Sequence, residues 1–241
     1  MHTVGSRRRT FLYTASALAM ALAAGGLRAE EKEAGEKDVE AAEDLMREHG
    51  VLRRILLAYS AAAGRLRAES ADGVPPKALA DAAALFRTFG EQYHERALEE
   101  KHVFPVVQRL KGAAARYPAI LKTQHDRGRA ITDYITSATK GLRIAAADRD
   151  PLAKALDALV LMYQHHTAIE DTVVFPAWKN ALADSEYKEL SDQFEELEQK
   201  MFGRDGFEDA VNRVAAIESS LGLSDLASFT APPPPAASSK R

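Results

Sequence analysis

The chain has 241 residues, 46% hydrophobic and 28% charged, with seven His, no Cys and a formal net charge of −3. This suits one or two domains with a real core, and it excludes disulfides, thiolate metal sites, iron–sulfur clusters and cysteine nucleophiles. The slightly acidic balance argues against broad nucleic-acid binding, which needs clustered surplus Lys and Arg.

Residues 1–29 contain no acidic side chain. Arg7, Arg8 and Arg9 precede Thr10, Phe11 and Leu12, and an Ala/Leu-rich stretch runs to Ala24. Basic, apolar and small residues in that order make an export signal peptide. The run from Arg8 to Leu12 resembles a twin-arginine signal. The apolar run is shorter than the roughly 20 residues of a membrane span, so no stable span is expected after cleavage behind Ala23 or Ala29. The alternative is an uncleaved anchor. Without this segment the chain keeps 28 basic and 35 acidic residues, a net of −7. The expectation is a periplasmic protein, and the twin-arginine resemblance implies export in the folded state.

The rest reads as all-α, because apolar residues recur at helical spacing and no alternating β-branched runs interrupt them. The spacing predicts helices over about 37–69, 77–111, 118–140 and 151–180. Ser70 to Pro76, Gly112 with Pro118, and Gly141 with Asp148 to Pro151 separate them. Long amphipathic helices with short connections predict an antiparallel up-down-up-down four-helix bundle over 37–180. Two additional C-terminal helices, about 184–202 and 206–221, form an extension over 181–225 that packs outside. The fifth helix carries the stripe Tyr187, Leu190, Phe194, Leu197 and Met201. Residues 226–241 are a Pro/Ala/Ser tail with little to bury.

Several polar residues lie on the faces that a bundle buries. In the fourth helix Leu152, Leu156, Leu159, Tyr163, His166, Glu170, Val173 and Ala177 repeat at steps of four and three, with His166 and Glu170 mid-seam. A buried carboxylate costs several kcal/mol unless paired or bound to metal. The first helix puts His49 on its stripe with Leu45, Leu52, Leu56 and Tyr59; the third puts His125 there with Leu121, Gly128, Thr132 and Ile135. His165 falls off the repeat.

The second helix has two stripes, Leu79 to His94 and Glu99 to Leu110, joined by a five-residue step. In a regular helix His94 and Glu99 would point about 140° apart. A π-bulge would bring both inward, and we take that solution because the flanking stripes shift by the same residue. The alternative is a regular helix in which Glu95 faces inward in place of His94. The halves also repeat weakly: Glu99-Glu100 before Phe104-Pro105 matches Glu170-Asp171 before Phe175-Pro176 at an offset of 71.

Four imidazoles (His49, His94, His125, His166) and two carboxylates (Glu99, Glu170) on facing helices can hold two metal ions. Imidazole suits iron, copper, zinc and nickel, and carboxylates bridge cations. Six ligands leave vacancies on two six-coordinate ions. Two tetrahedral zincs would be satisfied with fewer ligands, so the donor set by itself leaves the metal open among iron, zinc and manganese.

With Glu48-His49-Gly50, Tyr93-His94-Glu95, Gln124-His125-Asp126 and His166-x-x-x-Glu170 before Phe175-Pro176, residues 40–180 resemble the hemerythrin (HHE cation-binding) family. The resemblance implies a four-helix bundle around a di-iron centre, with Glu99 and Glu170 bridging and the four His as terminal ligands. It implies a partner such as O₂, NO, peroxide or iron itself. Two departures stand out: the extra residue between His94 and Glu99, and Arg129 where oxygen carriers of the family have a second His four residues after the first. The second departure favours reactivity or sensing over reversible O₂ transport.

Three functions remain apart on this reading: a periplasmic binder or sensor, an enzyme acting on peroxide or NO, and a metal-free adaptor bundle. His102 is expected to face outward. Tyr59, Tyr93, Tyr134 and Tyr163 are read as ordinary packing, and the runs Glu30–Glu48 and Glu195–Glu198 as solvated faces.

Overall fold

The computed structural model describes residues 39–68 and 73–235. The expected export signal, part of the first turn and the last six residues of the tail lie outside them. Among the described residues there are helices and no strands.

Helix α1 is Ala41–Arg67. Its predicted stripe is buried from Leu45 to Tyr59. Its N-terminus has no local side-chain cap. The orphan N–H groups that every helix start carries are met from a distant segment instead. The Tyr187 hydroxyl accepts from Ala42 N–H at 2.9 Å and Ser191 Oγ from Ala41 N–H at 3.1 Å.

Helix α2 is composite: α-helical Pro76–Leu85, π-helical Phe86–Val103 and α-helical Phe104–Gln108. The expected single bulge is thus a sustained stretch of wide turns. After Gly112, whose φ of 113° suits only glycine, a 3₁₀ turn Ala113–Arg116 leads into α3, Tyr117–Ala138. Helix α4 comprises Ala146–Ile169, a short π-helix Glu170–Val174 and Phe175–Asn180. It begins five residues before the expected start, with Pro151 inside it. Pro151 has no N–H to give the Ala147 carbonyl four residues back, so the second turn of α4 forgoes one interior backbone bond.

The two π stretches end alike. Phe104 N–H bonds the Glu99 carbonyl and Phe175 N–H bonds the Glu170 carbonyl, each five residues back. The following Pro105 and Pro176 bring no N–H to compete for register.

Helix α1 packs on α4 and α2, and α3 on α2 and α4, around a continuous core. Helices α5 (Asp184–Phe202) and α6 (Gly206–Ser220) pack outside, against α1 and α2. Gly203 ends α5 in the left-handed region (φ 68°), its N–H bonding the Gln199 carbonyl at 2.8 Å. Asp205 caps α6 through Glu208 N–H at 2.8 Å. Tyr187 and Phe194 of the α5 stripe are buried, whereas Met201 is 42% exposed. Glu198, expected in solvent, is buried, and its carboxylate accepts from Phe207 N–H at 2.7 Å. No described helix is long and apolar enough to cross a membrane.

Candidate metal centre

The six residues singled out by spacing, His49, His94, Glu99, His125, His166 and Glu170, are all buried, at 3% exposure or less. The structure brings them together. The imidazoles form two close pairs, His49 with His94 at 4.7 Å between ring centroids and His125 with His166 at 4.9 Å.

Each ring turns Nε2 inward. Nε2 of His125 and of His166 are 3.1 Å apart. Glu170 Oε2 lies 3.0 Å from Nε2 of His166 and 3.4 Å from Nε2 of His49. Glu99 Oε1 lies 3.4 Å from Nε2 of His94, and its Oε2 3.4 Å from Nε2 of His125. Donor atoms of Glu99, His125, His166 and Glu170 fall within 4.8 Å of one another, as do those of His49, His94 and Glu99. Glu99 belongs to both groups, and Glu170 faces an imidazole of each. This is where bridging carboxylates would have to stand.

The wide turns of α2 put His94 and Glu99 on one side, since i→i+5 bonding suits a five-residue step. Glu95 is also buried but turns to a different set of partners, given below.

The outward nitrogens form a closed chain around the bundle. His94 Nδ1 on α2 meets Glu48 of α1 at 2.6 Å. His125 Nδ1 on α3 meets Glu100 of α2 at 3.0 Å, and His166 Nδ1 on α4 meets Gln124 of α3 at 2.9 Å. His49 Nδ1 on α1 meets Asp171 of α4 at 2.6 Å. Every helix therefore supplies one ring to the centre and one acceptor to its neighbour's ring. Nδ1–H donating outward leaves the Nε2 lone pair inward, which is the tautomer a metal needs. Each acceptor is adjacent in sequence to a seam residue (Glu48 to His49, Glu100 to Glu99, Gln124 to His125, Asp171 to Glu170), yet serves a ring elsewhere.

The electrostatics are those of carboxylates and imidazoles holding one another charged: burial would raise Glu99 and Glu170, yet the imidazoles they face lower both. Burial opposes protonation of His49, His94 and His125, but the facing carboxylates outweigh it: all three are raised, His125 to about 10. Burial would raise Glu100, yet hydrogen bonds from His125, Arg129 and Lys122 hold it down at about 2. Even so, both oxygens of Glu99, both of Glu170 and Nε2 of His94 are buried without a hydrogen-bond partner among the described residues. Buried polar atoms are nearly always satisfied, so five orphans converging on one point call for a ligand there. Imidazole nitrogens and carboxylate oxygens are a donor set that fits iron, zinc or manganese.

A further polar layer was not legible in the spacing. Glu95 Oε1 accepts from the Tyr163 hydroxyl at 2.6 Å, and its Oε2 accepts from Arg129 Nη2 at 2.9 Å. Arg129 also donates to Glu100 at 2.5 Å and Asp126 at 2.8 Å. Tyr163 is therefore more than packing: its ring centroid is 5.1 Å from that of His166. Gly128 makes its slot, since a Cβ there would stand 2.3 Å from the hydroxyl. Asp44 and Glu48, expected in solvent, are buried. His102 stays out of the centre, against Phe194 of α5, and His165 is exposed. A cleft of about 470 Å³ between the end of α2 and the start of α3 reaches Glu100 and Phe104, both of which touch His125.

Comparison with known proteins agrees with this geometry. Residues 40–143 match the family model of the hemerythrin HHE cation binding domain. The matched span holds His49, His94, Glu99 and His125; His166 and Glu170 follow it. An uncharacterized protein of Mycobacterium bovis is 44% identical over 198 residues, covering 81% of this chain and 75% of that protein. Uncharacterized proteins from two Mycobacterium tuberculosis strains match to the same extent. No solved structure matches.

Proposed function

We propose that this chain, whose residues 40–143 match the hemerythrin HHE cation binding domain, is a non-haem di-iron protein of that family that binds or senses O₂, NO, peroxide or iron. The observation that carries the reading is the convergence of four inward Nε2 atoms on four carboxylate oxygens that have no hydrogen-bond partner. In this reading His125 and His166 would hold one ion and His49 and His94 the other, and Glu99 and Glu170 would serve both. A bound iron pair would supply reversible one-electron chemistry and open coordination positions. The chain supplies fixed tautomers, carboxylate charge and buried surroundings. The proposal includes an antiparallel up-down-up-down order for α1–α4. Pairing of His49 with Asp171 at one end of α1 and of Arg67 with Asp157 at the other supports it. It also includes export to the periplasm by the twin-arginine-type segment.

Metal analysis of the purified mature chain, with an optical spectrum before and after O₂, tests the reading. Two irons per chain and an oxygen-dependent absorption band are expected. A chain that holds no metal and refuses to load it would point to an adaptor bundle. Catalytic loss of peroxide or NO, rather than binding at one equivalent, would make the protein an enzyme.

A further inference from the structure

We propose that Arg129 is a positioning residue: it stands between the two carboxylates behind His125, so that Glu100 takes the Nδ1–H of that ring and the Nε2 stays aimed at the ion. The proposal rests on the dinuclear reading above.

His125 is the ring with the crowded outer side. His49, His94 and His166 each meet one acceptor at Nδ1. Nδ1 of His125 faces two carboxylates, Glu100 at 3.0 Å and Glu95 at 3.9 Å. Donor atoms of all three residues lie within 4.8 Å of one another. One N–H satisfies only one of the acids, and two anions so close repel unless a cation stands between them.

Arg129 is that cation. It lies one helical turn beyond His125 on α3 and is 7% exposed. Its Nη2 donates to Glu100 Oε1 at 2.5 Å and to Glu95 Oε2 at 2.9 Å, and its Nη1 is anchored on Asp126 at 2.8 Å. The Tyr163 hydroxyl holds the other oxygen of Glu95 at 2.6 Å. Glu95 is therefore satisfied without the imidazole, and Glu100 Oε1 is left facing Nδ1. Phe104 stacks on the His125 ring, with centroids 5.4 Å apart and planes at 19°, so the ring turns within that plane and its acceptor sets where Nε2 points. A buried ion cluster adds little net stability over apolar packing of the same size. What this one adds is a fixed acceptor. Without the guanidinium, Glu100 is the more exposed of the two acids and keeps only Lys122 at 3.1 Å to pull it outward, away from the ring.

The test uses the full chain loaded with zinc, which is diamagnetic. It reads the imidazole N–H protons by ¹H–¹⁵N NMR and zinc affinity by competition with a chelator. The parent is expected to show a water-protected Nδ1–H signal for each of the four rings. In Arg129→Ala the His125 signal should move or vanish by exchange while those of His49, His94 and His166 stay, and zinc affinity should fall roughly tenfold, the scale on which residues supporting metal ligands act. Adding Glu95→Gln removes the competing charge and should restore both signal and affinity. Arg129→Gln also removes the cation and serves if Arg129→Ala does not fold. Should the chain load only ferrous iron, the same four protons are read in the iron form. A His125 signal and metal affinity that stay at parental values without Arg129 would overturn the proposal. So would equal shifts at all four rings, the mark of general loosening, a loss that Glu95→Gln leaves in place, or a parent whose His125 Nδ1–H is already unprotected. A parent chain that takes up neither zinc nor iron overturns the dinuclear reading itself, a result visible in the metal content before any variant is compared.

Discussion

In α4, His166 and Glu170 stand four residues apart, and only Glu170–Val174 are π-helical; in α2, His94 and Glu99 stand five apart, and the wide turns run from Phe86 to Val103. Both helices nonetheless deliver an imidazole and a carboxylate to one point, and both return to α-helix at a Phe-Pro pair. The difference shows that spacing alone does not specify a ligand pair. The backbone can absorb an added residue by spreading it over several turns, provided that the apolar stripes before and after shift in step. In α2 the longer π-helix also turns in Glu91 and Glu95, two buried acids for which α4 has no counterpart, so the first half carries the heavier load of charge.

If the halves are equivalent at the centre, Glu99→Ala and Glu170→Ala should each strip both metal positions, the largest effect expected. Metal content per chain measures it, and one variant that retains full occupancy would show the halves to be unequal. Next comes the tie between them. Trp178 of α4, fully buried and stacked on Phe194, donates its indole N–H to the His102 carbonyl in the π stretch of α2 at 3.1 Å. Trp178→Ala should cost about 3–5 kcal/mol of stability by denaturant unfolding.

Among the outer acceptors, Glu100→Ala should lower metal affinity by about 10–100-fold in competition with a chelator. Gln124→Ala should cost less, since a neutral amide polarises its imidazole more weakly than a carboxylate does. The glycines give the smallest contrast. Gly128→Ala drives a methyl into the Tyr163 hydroxyl and should cost about 1–3 kcal/mol. At Gly90 the new Cβ would press Leu52 Cδ2 at 3.0 Å and otherwise make ordinary contact with Phe86, so Gly90→Ala should lower the denaturant midpoint less than Gly128→Ala does.

How much of this the sequence discloses follows from where side chains sit on a helix. His49, His125, His166 and Glu170 interrupt apolar stripes, and the structure places all four in one pocket, with His94 and Glu99 joining them. The outer acceptors escaped notice because each is one residue off the seam. That is a rotation of about 100°, which makes Glu48 or Gln124 look like part of a solvated face. They are legible only once each helix is known to lie beside the next. Arg129 stood out as a departure in the third helix, but its three carboxylate partners come from two helices, and no periodicity within one helix reveals them. Tyr163 read as packing because a tyrosine on a seam usually is; only the missing Cβ of Gly128 shows that room was made for its hydroxyl.

The closed chain of outward nitrogens is not even-handed. His49 and His94 are both backed by carboxylates, while of the other pair only His125 is, and its Glu100 is shared with Arg129 and Lys122. His166 leans on an amide alone. Imidazoles backed by carboxylate push more electron density toward a metal. The backing charge is thus concentrated on the α1/α2 flank of the pocket, where a bound cation would meet the more basic pair of imidazoles.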